Sequence, residues 1–292
     1  MAGVTIFRPE PGQLRDLMQR LAEEGLEVLV HVDGPTGHAI DADLLSELQT
    51  ARGVTVFQAP VNRGIGAGLN ALAQAARTAG FRKILLFDQD SAPLPGLAFR
   101  LEHAFDFLLD AGARPAVVGP RPVAASGETS KPPRYSKRPR IAAVGNLRPV
   151  NYVISSGSLV SLDAIDAVGD FRDDYFIDAI DTEWCFRAWH RGRSVWSDDR
   201  LEMPHRVGSG VVRFGPLRFP QQSEARMITY LRNQSHGLRL PHVPLRWKVR
   251  FIAYAPLQAA AYVARAPRKR RSASRFLRAI SDGLRARLGP IK

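Results

Sequence analysis

Cysteine is almost missing from this chain. Cys185 is the single one, so no disulfide can form within the chain, and a reducing, cytoplasmic setting fits. No stretch reaches the roughly 20 apolar residues that cross a bilayer. The longest apolar run, residues 251–264, has fourteen residues and predicts an interfacial or buried segment. The opening residues, Met1 into Val4-Thr5-Ile6-Phe7, lack the basic n-region and apolar core of a secretory signal. Acids are scarce at one end only. Residues 241–292 carry thirteen Lys and Arg against Asp282 alone, whereas residues 1–240 hold 28 basic and 27 acidic side chains. The net charge of +13 is therefore a property of the C-terminal end. Such an end suits an anionic partner, either a phospholipid surface or nucleic acid.

What is present is ordinary for a globular protein: 292 residues, 45% hydrophobic and 24% charged. Collagen-like, largely disordered and disulfide-scaffold classes are excluded, and the length allows one large domain or two small ones. Leu14, Leu17, Met18 and Leu21 have helical spacing. Residues 27–32 and 53–57 read as buried strands, and residues 83–87 and 116–119 as two more. Helical segments over 40–48, 64–79 and 97–109 alternate with them. Strands alternating with helices predict a parallel α/β sheet, in which ligands bind at the carboxyl ends of the strands. Residues 121–147, rich in proline and basic residues, predict a mobile loop. Residues 174–189 predict a helix beyond their first turn, and the chain from Trp247 onward predicts basic helices. No internal repeat is visible.

Three stretches carry chemistry. In Lys83-Ile-Leu-Leu-Phe-Asp88-Gln-Asp90-Ser91, an apolar strand delivers two carboxylates at i and i+2, on one side while the backbone stays extended. Converging carboxylates repel unless a cation lies between them, and hard divalent ions take such oxygens together with substrate phosphates. A bare strand-ending turn with two solvated acids accounts for the pair about as well. The turn Asn62-Arg63-Gly64-Ile65-Gly66-Ala67-Gly68-Leu69-Asn70 follows a strand and opens a helix, a place that favours an anion. Gly64, Gly66 and Gly68 do not make the dinucleotide fingerprint, which also belongs in the first βα turn. Helix–sheet packing through small residues explains the turn equally well. Tyr175-Phe-Ile-Asp178-Ala-Ile-Asp181-Thr-Glu183-Trp-Cys-Phe-Arg187 holds three acids in six residues. Asp178 and Asp181 share a face if the helix has already formed, and Arg187 can pair with Glu183. One acid suits a general base, while the helix dipole alone also explains acids in a first turn.

In order and spacing, these motifs resemble bacterial family 2 glycosyltransferases with the GT-A fold, most closely the rhamnosyltransferase-like branch. The motifs are Val61-Asn-Arg-Gly-Ile-Gly-Ala-Gly-Leu-Asn70, Phe87-Asp-Gln-Asp-Ser91, Ser155-Ser-Gly-Ser158, Phe176-Ile-Asp-Ala-Ile-Asp-Thr-Glu-Trp-Cys-Phe-Arg187, Pro204-His-Arg-Val-Gly208 and Arg226-Met-Ile-Thr-Tyr-Leu-Arg-Asn233. The resemblance covers residues 1–240, with a weaker echo beyond. It implies a GT-A domain over 1–240, a mixed sheet flanked by helices, followed by a basic amphipathic helical region over 241–292.

The activity implied is inverting, metal-dependent transfer of a sugar, L-rhamnose from dTDP-L-rhamnose, in bacterial surface polysaccharide synthesis. The acceptor implied is a hydroxyl of a glycan or lipid-linked saccharide. By the same resemblance Asp181 is the general base, with Ile180 where the family has glutamate and Asp178 as its competitor. Asp33, Asn62, Gly64, Asp88, Tyr230 and Arg232 bind the nucleotide sugar. Ser156, Gly157, Asp178 and Trp184 lie on the acceptor side, and Asp90 and His205 serve Mg²⁺ or Mn²⁺. The opening strand departs from the family pattern, since Tyr-Asn does not follow Thr5.

Aromatics around residues 251–264, followed by the cluster Arg265 to Arg271, predict a peripheral anchor on anionic lipid at the inner face of the cell membrane. Two other functions compete. A nucleic-acid-binding protein could use the basic end with stacking aromatics, but that leaves every acid motif unexplained, and no nucleic-acid partner is expected. A nucleotidyltransferase also needs paired acids and a divalent ion, but has no use for the Asp181 segment or the Arg226–Asn233 motif.

Overall fold

The computed structural model describes residues 1–125, 132–138, 140–205, 210–215 and 217–290. Its centre is an eight-stranded mixed sheet in the order β3-β2-β1-β4-β7-β5-β8-β6. The strands are β1 (Ala2–Ile6), β2 (Val28–Val32), β3 (Val54–Gln58), β4 (Lys83–Asp88), β5 (Pro115–Ala124), β6 (Leu147–Pro149), β7 (Ser158–Ser161) and β8 (Ser194–His205). β1 through β4 pair in parallel. β7 inserts antiparallel between β4 and β5, and β6 runs antiparallel on the edge strand's neighbour β8. The βα alternation read from the sequence thus accounts for the parallel strands up to β5, β8 joins β5 in parallel, and the mixed character comes from residues 147–161.

β1, β2 and β4 are apolar runs buried on both faces, as central strands of a doubly covered sheet must be. Helices α1 (Pro11–Glu23), α2 (Ala42–Thr50) and α4 (Leu97–Asp110) cover one face through Leu14, Leu17, Leu44, Leu48, Leu101 and Phe105. Helices α3 (Ile65–Thr78), α5 (Leu162–Val168) and α6 (Ile180–His190) cover the other through Leu69, Leu72, Ile165, Trp184 and Cys185. β3, expected as a buried strand, is instead the sheet's edge and only half-buried, with Phe57 exposed.

The loop expected over 121–147 is corrected at both ends. Residues 121–124 continue β5 alongside β8. Residues 132–138 fold back on the body: the Tyr135 hydroxyl accepts the Ile154 amide at 3.1 Å, and the Arg138 guanidinium lies 4.4 Å from the Trp189 ring centre. Residues 126–131 and 139 of that loop lie outside the described residues.

Beyond the sheet come the hairpin β9 (Val211–Phe214) and β10 (Leu217–Pro220) and helices α7 (Glu224–Gly237), α8 (Leu245–Arg265) and α9 (Lys269–Leu284). α7, α8 and α9 share an apolar cluster of Met227, Leu231, Phe251, Ala255, Phe276 and Ala279. α9 approaches so closely that a Cβ at Gly283 would meet the Arg232 carbonyl oxygen at 2.1 Å. α8 also reaches the body, where Trp247 packs edge-on against Phe186 and Tyr152.

Candidate active site

The strand order reverses at β1 and β4, and the crevice at that reversal is where open α/β sheets bind ligands. A cleft of about 540 Å³ opens there. It is lined from β1 by Thr5, from the β2 end by Asp33, from the β4 end by Asp88 and Asp90, from the segment before α6 by Asp178, from the first turn of α6 by Asp181, and from α7 by Arg226. Asp88, Asp90, Asp178 and Asp181, which sequence spacing singled out, share this one space although the two pairs lie far apart in the chain.

Asp88 ends β4, so its carboxylate is carried by a rigid, buried strand. Burial pushes its carboxyl up to about 7, with the nearby Asp90 and Asp181 carboxylates adding to the shift and Arg226 opposing it. Gln89, between the two acids, fixes the β1 end: it accepts the Phe7 amide at 2.7 Å and donates to the Phe7 carbonyl at 3.1 Å. Burial also lowers the His205 imidazole, against the pull of Asp90. His205 lines the cleft, while Arg206, Val207 and Gly208 of its motif lie outside the described residues. Among the described residues, no three His, Cys, Asp or Glu side chains are already grouped as metal ligands. The donors still suit a hard divalent ion. Asp88 and Asp90 supply oxygens, their mutual repulsion is what a cation relieves, and phosphate oxygens commonly complete such shells.

Asp33 is buried, and both its oxygens are taken by backbone: Oδ1 accepts the Arg63 amide at 2.7 Å and Oδ2 the Gly64 amide at 2.8 Å. Asn62 Oδ1 accepts the same Gly64 amide at 3.1 Å. Asp33 thus shapes the glycine turn as well as lining the cleft. The glycines serve close packing. Gly64 has φ +86°, and a Cβ there would lie 2.2 Å from the Phe176 carbonyl oxygen; one at Gly66 would lie 2.4 Å from that of Arg172. The Ile65 amide donates to the Phe176 carbonyl at 2.8 Å. The amides of Gly64 and Ile65, at the start of α3, are therefore occupied by protein.

That contact orders the acid segment. A 3₁₀ turn over Asp173–Tyr175 leads into Phe176, Asp178 and Ala179, all at positive φ, and α6 starts only at Ile180. Asp178 and Asp181 therefore do not share a helix face, because the intervening turn is left-handed. Three non-glycine residues in sparsely populated backbone regions need external support. Asn233 supplies it, its Nδ2 donating to the carbonyls of Tyr175, Ile177 and Asp178 at 3.0, 2.8 and 2.9 Å.

Asp178 is engaged: Arg226 Nη2 lies 2.6 Å from its Oδ1, and the Thr229 hydroxyl donates to its Oδ2 at 3.2 Å. Among the described residues, Asp181 faces no cation at that distance. Its Oδ1 accepts the Thr182 amide at 2.6 Å, and burial raises its carboxyl above the usual range. Glu183 is buried and belongs to a different cluster, gripped by Arg187 at 3.0 Å, as the spacing predicted, and by His242 at 2.8 Å.

Other expected site residues fall outside the cleft. Arg232 is buried; it donates to the Tyr175 carbonyl at 2.9 Å and bonds the Gly289 carbonyl. Tyr230 packs on Phe251. Trp184 is core, stacked 4.9 Å from Phe171 and donating to the Gly169 carbonyl. Ser156 is buried and bonded to Ser91 at 2.6 Å. Gly157, at φ +76°, donates to the Leu86 carbonyl; the neighbours Ile154 and Ser155 are the ones lining the cleft. Sequence reasoning gave no role to Arg226, Thr229, Gln89 or Asn233. All four sat inside quoted motifs, and the Arg226-to-Asn233 spacing, two turns of helix, was the signal for a shared face. His31 was also missed. It lines the cleft, and its buried Nδ1 has no partner among the described residues.

No protein-family model matches the chain. It is 26% identical over 294 residues to the dTDP-rhamnosyl transferase RfbF of Shigella flexneri, covering 99% of this chain and 96% of that one. Its fold matches S. aureus TarS in complex with UDP-GlcNAc, with a TM-score of 0.62 at 15% identity, over 98% of this chain and 80% of that structure. It spans about half, 48%, of the longer TarS chain. The mannosyltransferase PcManGT from Pyrobaculum calidifontis, in complex with GDP-Man and Mn²⁺, matches with a TM-score of 0.55 at 15% identity, over 98% of this chain and 74% of that one. The chain has the GT-A fold, and the resemblance drawn from its motifs is borne out.

Proposed function

We propose that this chain is an inverting glycosyltransferase of the family 2 type. In this reading it moves L-rhamnose from dTDP-L-rhamnose to a hydroxyl of a glycan or lipid-linked saccharide in bacterial surface polysaccharide synthesis. The observation that carries the reading is the convergence of Asp88 and Asp90 from β4 with Asp181 from α6 on one cleft at the sheet's reversal point. The named relative acts with a dTDP-rhamnosyl donor, and the two structural neighbours hold UDP- and GDP-sugars, which supports a nucleotide sugar here.

In this mechanism the nucleotide lies along Thr5, Asp33 and Asn62, and the diphosphate reaches Asp88 and Asp90. When bound, Mg²⁺ or Mn²⁺ on Asp88 and Asp90, beside His205, supplies positive charge to the departing diphosphate. Asp181 takes the proton of the acceptor hydroxyl. That oxygen bonds to the anomeric carbon from the face opposite the diphosphate, the carbon–oxygen bond to the diphosphate breaks, and configuration inverts with no covalent enzyme intermediate. Asp178, held by Arg226 and Thr229, is the weaker candidate for the base. Burial brings Asp181 toward the operating pH, where a general base is most effective, contributing about 10²–10⁴-fold.

The C-terminal region fits a peripheral place on an anionic membrane. Among the described residues no helix is long and apolar enough to cross a bilayer. α8 instead exposes Leu245, Val249, Ile252, Tyr254 and Leu257, with Arg246, Lys248 and Arg250 at its start and Arg265 to Arg271 after its apolar part. Apolar surface flanked by cations is the pattern of an interfacial helix.

The test is a thermal-melting panel of nucleotide sugars with Mg²⁺ or Mn²⁺, followed by transfer assays with the stabilising donor. A ligand that binds the folded chain raises its melting temperature. Stabilisation by dTDP-L-rhamnose above other sugars is expected; no stabilisation by any nucleotide sugar contradicts the reading.

A further inference from the structure

We propose that Arg226 is the cleft's ligand for the donor diphosphate, held in reserve by Asp178, so that donor binding breaks the Arg226–Asp178 pair and frees the Asp178 carboxylate toward the acceptor. The inference rests on the nucleotide-sugar reading above and adds to it the exchange of Arg226 from Asp178 to the diphosphate.

The cleft's charge balance points to it. Asp33, Asp88, Asp90, Asp178 and Asp181 line the space, and Arg226 is the one Lys or Arg among the described lining residues. Asp33 is satisfied by two amides; the other four acids face an incoming polyanion. A diphosphate enters such a space only against counter-charge. The guanidinium fork is the side chain best matched to phosphate oxygens, because it offers paired, parallel N–H donors.

Arg226 is free to make this exchange. It lies in the first turn of α7 with its side chain 44% exposed, whereas that of Asp178 is 10% exposed. Its Nη2 is committed to Asp178, and the rest of the fork has no protein acceptor among the described residues. It also lies within electrostatic reach of Asp88 and Asp90, the two acids expected nearest the diphosphate.

Asp178 can be released without loss of its place. The turn that carries it, with Phe176, Asp178 and Ala179 at positive φ, is fixed by Asn233 and by the Ile65 amide on the Phe176 carbonyl. The Thr229 hydroxyl still holds Asp178 Oδ2. Breaking the ion pair therefore uncovers a preplaced carboxylate, three residues before Asp181, and leaves the turn's other supports intact.

The test is calorimetric titration of the full chain with dTDP, UDP and GDP in Mn²⁺, comparing wild type, Asp178→Asn, Arg226→Gln and the double variant. For the nucleotide that wild type binds best, Asp178→Asn is expected to bind about tenfold tighter and Arg226→Gln about tenfold weaker. The gain from Asp178→Asn is expected to vanish when Arg226 is Gln. An equal gain in that background means simple removal of a negative charge and overturns the inference, as does unchanged or weaker binding by Asp178→Asn. Should Arg226→Gln lose its cooperative melt, Arg226→Lys takes its place: charge without the fork is expected to weaken binding, and full affinity overturns the proposal. If wild type binds none of the three nucleotides, the nucleotide-sugar reading fails and this inference falls with it. Binding that ignores Asp178 sinks the inference alone.

Discussion

Asp88 shows how one residue ties fold to chemistry. Its carboxyl is pushed up to about 7 from 3.8. Between those values the folded chain keeps a proton that the unfolded chain has lost, so stability from this group falls as pH rises and levels off above about 7. Asp181, raised in the same direction, adds to the trend. In EDTA, the melting temperature of wild type relative to Asp88→Asn is expected to drop between about pH 4 and pH 7; a flat difference contradicts the burial. Stabilisation by Mn²⁺ with nucleotide should run the opposite way, growing as the carboxyl ionises, because metal ligation requires the deprotonated group. Gly64 is the second telling position. With φ +86° and the Phe176 carbonyl oxygen 2.2 Å from any Cβ, Gly64→Ala is expected to cost about 2–3 kcal/mol or more. A melting curve matching wild type would contradict that contact. From sequence alone Gly64 reads equally well as a ligand-facing glycine, because the partner that decides it lies more than a hundred residues away.

At the scale of elements, the helices and strands that bury a continuous apolar face were legible. β2, β4 and α1 follow directly from spacing, as does the basic helical nature of α8 and α9. The segment before α6 was not. Its left-handed turn carries no glycine at Phe176, Asp178 or Ala179, and it exists because Asn233 and the start of α3 hold it from outside. Asn233→Ala is therefore expected to lower kcat by about tenfold or more through the acids this turn and α6 present, while melting stays cooperative. Unchanged kcat would show that the turn holds without the amide. Arg232 illustrates the same limit. An arginine beside a binding motif invites a phosphate, but here it is buried and bonds the backbone carbonyls of Tyr175 and Gly289. For α8, the exposed apolar side makes a separate prediction: the chain should sediment with phosphatidylglycerol vesicles at low salt, and Ile252→Asp with Leu257→Asp should abolish this. Equal sedimentation of wild type and variant would remove α8 as the anchor.

At the scale of the whole molecule, the sheet brings β4 to its reversal point, where Asp88 and Asp90 share one cleft with Asp178, with Asp181 of α6 and with Arg226 of α7. The sequence order of the motifs was enough to anticipate the GT-A fold, because motifs such as 61–70, which opens α3, and 87–91, which ends β4, fall where strands give way to helices. The packing of 132–138 and of α8 onto the body was not, since it rests on aromatic and cation–ring contacts without a spacing rule. The division of labour across the cleft is tested most directly by measuring donor affinity and turnover side by side for Asp90→Ala and Asp181→Asn with the stabilising nucleotide sugar. Asp90→Ala is expected to lose metal-dependent donor binding. Asp181→Asn is expected to bind donor as wild type does while turnover falls by about 10²-fold or more. Near-normal turnover by Asp181→Asn, or unchanged metal-dependent binding by Asp90→Ala, would contradict it.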